Sequence, residues 1–163
     1  MLPLCLSIAV ALLDQIAKNW VRSRLGLGSF IGIIPGIFDL RYVQNTGAAW
    51  GIFEGLNHWL VILSLVMLVG IARFRHHFMT GTWAPDLSSG LIAGGIVGNL
   101  LDRIRLGYVV DFLDFHWRAY SFPAFNVADA AICTGVGLYV LSEVLGRERH
   151  AAKRPASEPV SGA

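Results

Sequence analysis

Charge is what this chain has least of: Asp, Glu, Lys and Arg make up 15% of its 163 residues, against about 25% in an ordinary soluble domain. Hydrophobic residues rise to 55% and the mean hydropathy to +0.58, where soluble chains carry roughly 45–50% apolar residues. A soluble globular protein is excluded on these grounds, and an integral membrane protein is expected. Cysteine is nearly absent as well. Cys5 and Cys133 both lie in apolar stretches, where a thiol behaves as a small hydrophobe, so neither a disulfide nor a cysteine nucleophile follows. His58, His76, His77, His116 and His150 have no helical ligand spacing with carboxylates, which argues against a metal site. Neither a cofactor nor a nucleic-acid partner is expected.

What is present is a set of long apolar runs. A chain of 163 residues holds about four spans of roughly 20 residues with connecting loops, and no large soluble domain besides. The runs are Leu2 to about Val21, His58 to about Ala72, Trp83 to Leu101, and Phe125 to Leu145. Each is expected to be a helix, because lipid offers no partner to an unpaired backbone group. The first lacks the basic n-region of a cleaved signal peptide, and Asp14 and Lys18 interrupt its apolar part, so it reads as a span. Residues 1–146 would form one membrane domain and 147–163 a basic, disordered cytoplasmic tail.

Between the first two spans the alternation in Phe38-Asp39-Leu40-Arg41-Tyr42-Val43-Gln44, after the Pro35-Gly36 punctuation, predicts short strands near the membrane surface. The stretch from Ser29 to Asn57 would make a cradle or lid. The fold expected is mainly α: four transmembrane helices with a small extracytoplasmic β-rich cradle. Trp20, Trp50, Trp59, Trp117 and Tyr120 suit an aromatic belt at that surface, and Trp83 the opposite one. Basic residues do not orient the chain by number. Arg73, Arg75, Arg147, Arg149, Lys153 and Arg154 oppose Lys18, Arg22, Arg24, Arg41, Arg103, Arg105 and Arg118. The polar basic tail favours cytoplasmic termini.

Against this background the buried polar residues carry the functional signal. An ionisable group at membrane depth costs several kcal/mol unless it faces a cavity or a partner. Asp14 and Lys18 are four apart, so they can pair on one helical face and point into the bundle, or simply end a helix at the interface. Gly90, Gly94 and Gly98 form a small-residue ridge for close helix packing, and Gly95, Asn99 and Arg103 a second ridge with a polar end. Asp111 and Asp129 are two carboxylates in a chain that should not tolerate them. Held a few ångströms apart, such a pair shares one proton near neutral pH, so that one member accepts a proton from water while the other polarises a carbonyl. Asn126, three residues before Asp129, would sit on the same helical face and bond a carboxylate or a substrate backbone. Asn45, Asn99 and Arg103 offer donors for peptide carbonyls, with Arg103 placed on the substrate because its charge would depress a neighbouring carboxylate's pKa.

The strings Asn45-Thr46-Gly47-Ala48-Ala49-Trp50-Gly51, Gly94-Gly95-Ile96-Val97-Gly98-Asn99-Leu100-Leu101-Asp102-Arg103, Val109-Val110-Asp111-Phe112 and Phe125-Asn126-Val127-Ala128-Asp129-Ala130 follow Asp14 and Lys18 in that order. Together they resemble lipoprotein signal peptidase, the bacterial type II (prolipoprotein) signal peptidase, from residue 14 to about residue 140. Trp50 departs from the Phe expected at that place. The resemblance implies a four-helix aspartyl endopeptidase, multi-pass in the bacterial plasma (inner) membrane, with its active site near the extracytoplasmic face. It implies removal of the signal peptide from diacylglyceryl-modified prolipoproteins, just before the lipidated cysteine. Asp111 and Asp129 match the catalytic pair, and Asp14, Lys18, Asn45, Asn99, Arg103 and Asn126 match polar positions around it. The partners implied are the prolipoprotein and membrane lipid, with the enzyme a monomer.

Two other classes fit intramembrane polar residues. A proton- or cation-coupled transporter would use them as an ion path, but the chain has no visible inverted repeat or paired broken helices. A structural membrane subunit would use them to lock helix packing, with mutual salt bridges and no cavity.

Overall fold

The computed structural model describes residues 1–47, 52–78 and 83–152. Eight elements follow one another: α1 (Leu2–Arg24), β1 (Phe30–Ile34), β2 (Phe38–Asn45), α2 (Asn57–Phe78), α3 (Trp83–Leu106), β3 (Val109–Trp117), β4 (Tyr120–Ser121) and α4 (Val127–Ala152).

The helices are built apolar side out. On α1 the exposed face carries Leu4, Ile8, Leu12 and Ile16, while Val10, Ala11, Asp14, Lys18 and Val21 are buried. Such a surface is stable only in an apolar solvent. At 23 residues the helix is about 34 Å long, enough for a hydrocarbon core of about 30 Å. Among the described residues, α1, α2 over Asn57–Phe74, and α4 over Val127–Leu145 are long and apolar enough to cross a membrane. Three of the four expected spans meet that criterion of length and composition, and α3 does not. The reason is position: α3 packs against α1, α4 and α2, so its surface meets protein and carries glycines and polar groups.

The glycine ridges explain that packing. A Cβ on Gly94 would meet Ser7 and Val10 of α1, one on Gly90 would meet Leu6, and one on Gly98 would stand 2.6 Å from Asp14 Oδ2. Gly95 faces the other way, against Ala128 and Ile132 of α4. Both predicted ridges thus face neighbouring helices, one on each side of α3.

The sheet has the order β1-β2-β3-β4, all antiparallel. Strands in the first connection were expected. The nine-residue β3, which carries Asp111, was not. Only Gly107 and Tyr108 separate α3 from β3, and Gly107, at φ +82°, donates its N–H to the Arg103 carbonyl as a glycine helix terminator does. That tight turn returns the chain beside the end of α3. Val21, Tyr42, Val110 and Phe112 form a buried cluster, with Ala17, Leu25 and Leu106 against it, and seat the sheet on the ends of α1 and α3.

Residues 48–51 lie outside the described part, and with them Trp50. The side chains of Trp83, His76, His77 and His150 also lie outside it. Helix α4 continues through residues 147–152 of the expected tail.

Candidate active site

Two separate elements, a strand and a helix, deliver the two aspartates. Asp111 comes from β3, where bulged pairing sets it opposite Val43 and sets Val109 opposite Asn45. The diagonal neighbours Asn45 and Asp111 can therefore meet, and Asn45 Nδ2 donates to Asp111 Oδ2 at 2.9 Å. The Gly47 N–H donates to Asn45 Oδ1 at 2.9 Å, an Asx-turn that leaves the amide nitrogen facing the carboxylate.

Asp129 comes from the first turn of α4. Asn126 precedes that helix and caps it: the Asp129 N–H donates to Asn126 Oδ1 at 3.0 Å, and the Asn126 N–H donates to Asp129 Oδ2 at 3.2 Å. This is a reciprocal capping box, with Asp in the place usual for Glu. Asn126 is thus a helix cap, which corrects its placement on a helical face. Its Nδ2 faces Asp111 Oδ1 at 2.7 Å, the Val110 carbonyl at 3.2 Å and Asn99 Oδ1 at 3.2 Å. Asn99 Nδ2 donates to Asp129 Oδ1 at 2.7 Å. Asn45 and Asn99, read above as donors to peptide carbonyls, instead hold the two carboxylates.

Asp111 is 2% exposed. Burial, and then the charge of Asp129, push its carboxyl up to about 7. The hydrogen bonds from Asn45 and Asn126 pull the other way without prevailing.

A cavity of about 790 Å³ opens onto the pair. Asn45, Asn99, Arg103, Asp111 and Asp129 line its polar end; Leu60, Leu63 and Met67 of α2 face Ile132 and Cys133 of α4 across its apolar end. Helix α2 packs chiefly on α3, and among the described residues no substantial α2–α4 packing closes the groove. The cavity removes the reading of a purely structural subunit. Arg103 borders it, with Nη2 donating to the Gly47 carbonyl at 3.2 Å.

Asp14, Lys18 and Asn126 do not line this cavity. Asp14 and Lys18 pair at 2.7 Å, 0% and 1% exposed, so they are not an interfacial helix end. The sequence reading assigned no role to Asp102, which lies 3.0 Å from Lys18 Nζ. Its signal was a further carboxylate in an apolar stretch, three residues past Asn99.

One grouping on the cradle was not foreseen. Asp39, Asp114 and His116 bring ligand atoms within 4.8 Å of one another, because Asp39 and Asp114 are cross-strand partners. His116 lies on β3, where the helical spacing of the sequence argument does not apply. Arg41 Nε lies 3.0 Å from Asp114 Oδ2, and His116 Nε2 lies 3.9 Å from Asp39 Oδ2.

The chain matches the family model described as signal peptidase (SPase) II over residues 6–145. It is 43% identical over 145 residues to a lipoprotein signal peptidase of Symbiobacterium thermophilum, covering 89% of this chain and 95% of that protein. It is 40% identical over 152 residues to the lipoprotein signal peptidase of Syntrophotalea carbinolica, covering 91% and 94%. A solved bacterial membrane enzyme superposes with a TM-score of 0.82 at 27% identity, covering 94% of this chain and 92% of that one.

Proposed function

The chain belongs to the signal peptidase II family, and from that premise we propose that Asp111 and Asp129 are the catalytic pair of an aspartic endopeptidase. It removes signal peptides from prolipoproteins, the activity named for its relatives. The observation that carries the assignment is the pair itself. Two carboxylates from separate elements meet at the polar end of one cavity, and all four of their oxygens accept hydrogen bonds.

Asp111, raised to about 7, is the member that holds the shared proton and delivers it to the scissile carbonyl. Asp129 takes the proton of the attacking water as its oxygen bonds to the carbonyl carbon, and the diol so formed collapses as the amine leaves with a proton from the pair. The aspartates need no covalent intermediate.

The substrate is a diacylglyceryl-modified prolipoprotein. Its apolar signal helix and acyl chains enter from lipid through the groove between α2 and α4, along Leu63, Met67 and Ile132, and the bond before the lipidated cysteine reaches the dyad. Arg103 at the cavity edge is placed to bond substrate carbonyls. In this reading α3 crosses the membrane enclosed by its neighbours, which makes four crossings. Residues 1–146 form the membrane domain. The termini are cytoplasmic, and the dyad lies near the outer face of the plasma membrane of a monomeric enzyme.

Purified protein incubated with a diacylated prolipoprotein will release its signal peptide, and the unlipidated precursor will be cut far more slowly. Substrate uptake into proteoliposomes without a peptide product would return the transporter reading.

A further inference from the structure

Behind the cavity, Lys18 is 1% exposed yet fully partnered. Its ammonium has three protons to give. It meets Asp14 Oδ2 at 2.7 Å, Asp102 Oδ2 at 3.0 Å and Asn99 Oδ1 at 2.8 Å. The same two acids reach forward. Asp14 Oδ1 accepts the Ala128 N–H at 2.9 Å, and Asp102 Oδ2 accepts the Val110 N–H at 3.1 Å. Ala128 is the residue before Asp129, and Val110 the residue before Asp111.

We propose that Lys18, Asp14 and Asp102 form a positioning unit that sets the separation of the catalytic carboxylates by gripping the chain immediately before each of them. The inference rests on the dyad reading. The unit also decides how Asn99 is turned: with Asn99 Oδ1 occupied by Lys18 and Asn126, its Nδ2 is directed at Asp129. Helix α1 is in this sense a jig. It carries no group to the cavity, but through Lys18 it ties β3, α3 and the first turn of α4 to one point. A lock serving only helix packing would have no need to end on the two amides that precede the reacting side chains. Glycine makes the approach possible, since a Cβ on Gly98 would stand 2.6 Å from Asp14 Oδ2.

An error of about 1 Å in such a pair costs on the order of 100-fold in rate, and a positioning defect enters kcat, not KM. The test compares Asp102→Ala and Asp102→Asn in the full-length enzyme with a diacylated prolipoprotein, by steady-state kinetics. Asp102→Ala is expected to lose about 100-fold in kcat with KM within threefold of wild type. Asp102→Asn keeps an oxygen for the Val110 N–H and is expected to recover about tenfold of that loss. Lys18→Met leaves two buried carboxylates without their cation and risks misfolding. It is therefore compared with Lys18→Met/Asp102→Asn, which restores the charge balance of the unit and is expected to be the more active of the two. Asp102→Ala with kcat within threefold of wild type, a loss carried by KM, an Asn variant no better than Ala, or a double variant no better than Lys18→Met each overturns the proposal. Asp111→Asn and Asp129→Asn run alongside. Turnover in either overturns the dyad reading instead, whereas silence in both with full activity in the Asp102 variants overturns only the positioning role.

Discussion

Asn126 holds Asp111 from the cap of a helix to which Asp111 does not belong: Asn126 Nδ2 stands 2.7 Å from Asp111 Oδ1, while Asn126 Oδ1 caps the helix whose first turn carries Asp129. One buried amide thus spends its donor on one carboxylate and its acceptor on the backbone of the other. Neither aspartate can shift alone without breaking a bond to Asn126, and at 0% exposure water does not replace that bond. The pair is preorganised before substrate arrives, which is where a proton-transfer site gains most of its rate.

Asp111→Asn and Asp129→Asn will each lower kcat by at least about 1,000-fold, within the range of a lost general acid or base. Both proteins will remain inserted and folded, because asparagine keeps the shape. Turnover of a diacylated prolipoprotein by gel shift measures this, and wild-type-like activity in either variant removes that residue from the mechanism. EDTA will leave wild-type turnover unchanged; loss in chelator with recovery on added zinc would sink the metal-independent scheme.

Removing Asn126 separates its two duties. Asn126→Ala loses the cap and the bond to Asp111; Asn126→Asp keeps an oxygen for the cap but adds charge beside Asp111. The alanine variant will lose about 1 kcal/mol of stability from the cap, seen as a lower apparent melting temperature. The aspartate variant will melt higher than alanine at low pH, yet remain at least about 100-fold down in kcat. Equal melting of the two variants at low pH would remove the cap from this account.

Asp111 also sets a pH dependence of stability. Its folded pKa of about 7 lies above the ordinary aspartate value of 3.8, so the folded protein binds this proton more tightly than the unfolded chain. The contribution is therefore present at low pH, declines as pH rises between about 4 and about 7, and is flat above. Wild type will show that decline in apparent melting temperature, and Asp111→Asn will lack it. A variant with the same slope as wild type would assign the proton elsewhere.

Activity will follow the same proton. With Asp111 as the proton carrier, kcat/KM will fall on the alkaline side around pH 7, and an acid limb will appear when the pair is doubly protonated. Both limbs belong to the pair. A profile flat from pH 5 to 9 would contradict a shared proton.

Topology is read by labelling. Cys5 and Cys133 are exposed thiols and are first replaced by alanine. Cysteines at Ser29 and Ser121 will then react with an impermeant thiol reagent in spheroplasts, and one at Ser157 will not. The reverse pattern would place the dyad on the wrong side for an exported substrate.

Much of this molecule is legible because it is local. Apolar runs long enough for lipid announce the helices, and a spacing of four turns Asp14 and Lys18 to one face. Phe38 to Gln44 alternates as a strand must. The Asn126 and Asp129 capping box lies within four consecutive residues and could have been read from the same string. Asp111 and Asp129 stood out because a carboxylate costs too much in an apolar chain to be there without a use. Only the tertiary structure decided which donor serves which oxygen. Asn45 reaches Asp111 through the bulged register of β2 on β3, Asn99 turns to Asp129 because Lys18 holds its other end, and Asp102 finds Val110 across the turn at Gly107. Those contacts depend on how closely α1 and α4 approach the glycines of α3, a distance that no periodicity along one segment encodes. Nor could composition identify α3 as the enclosed helix, since a helix covered by protein is freed from the apolar surface that lipid demands.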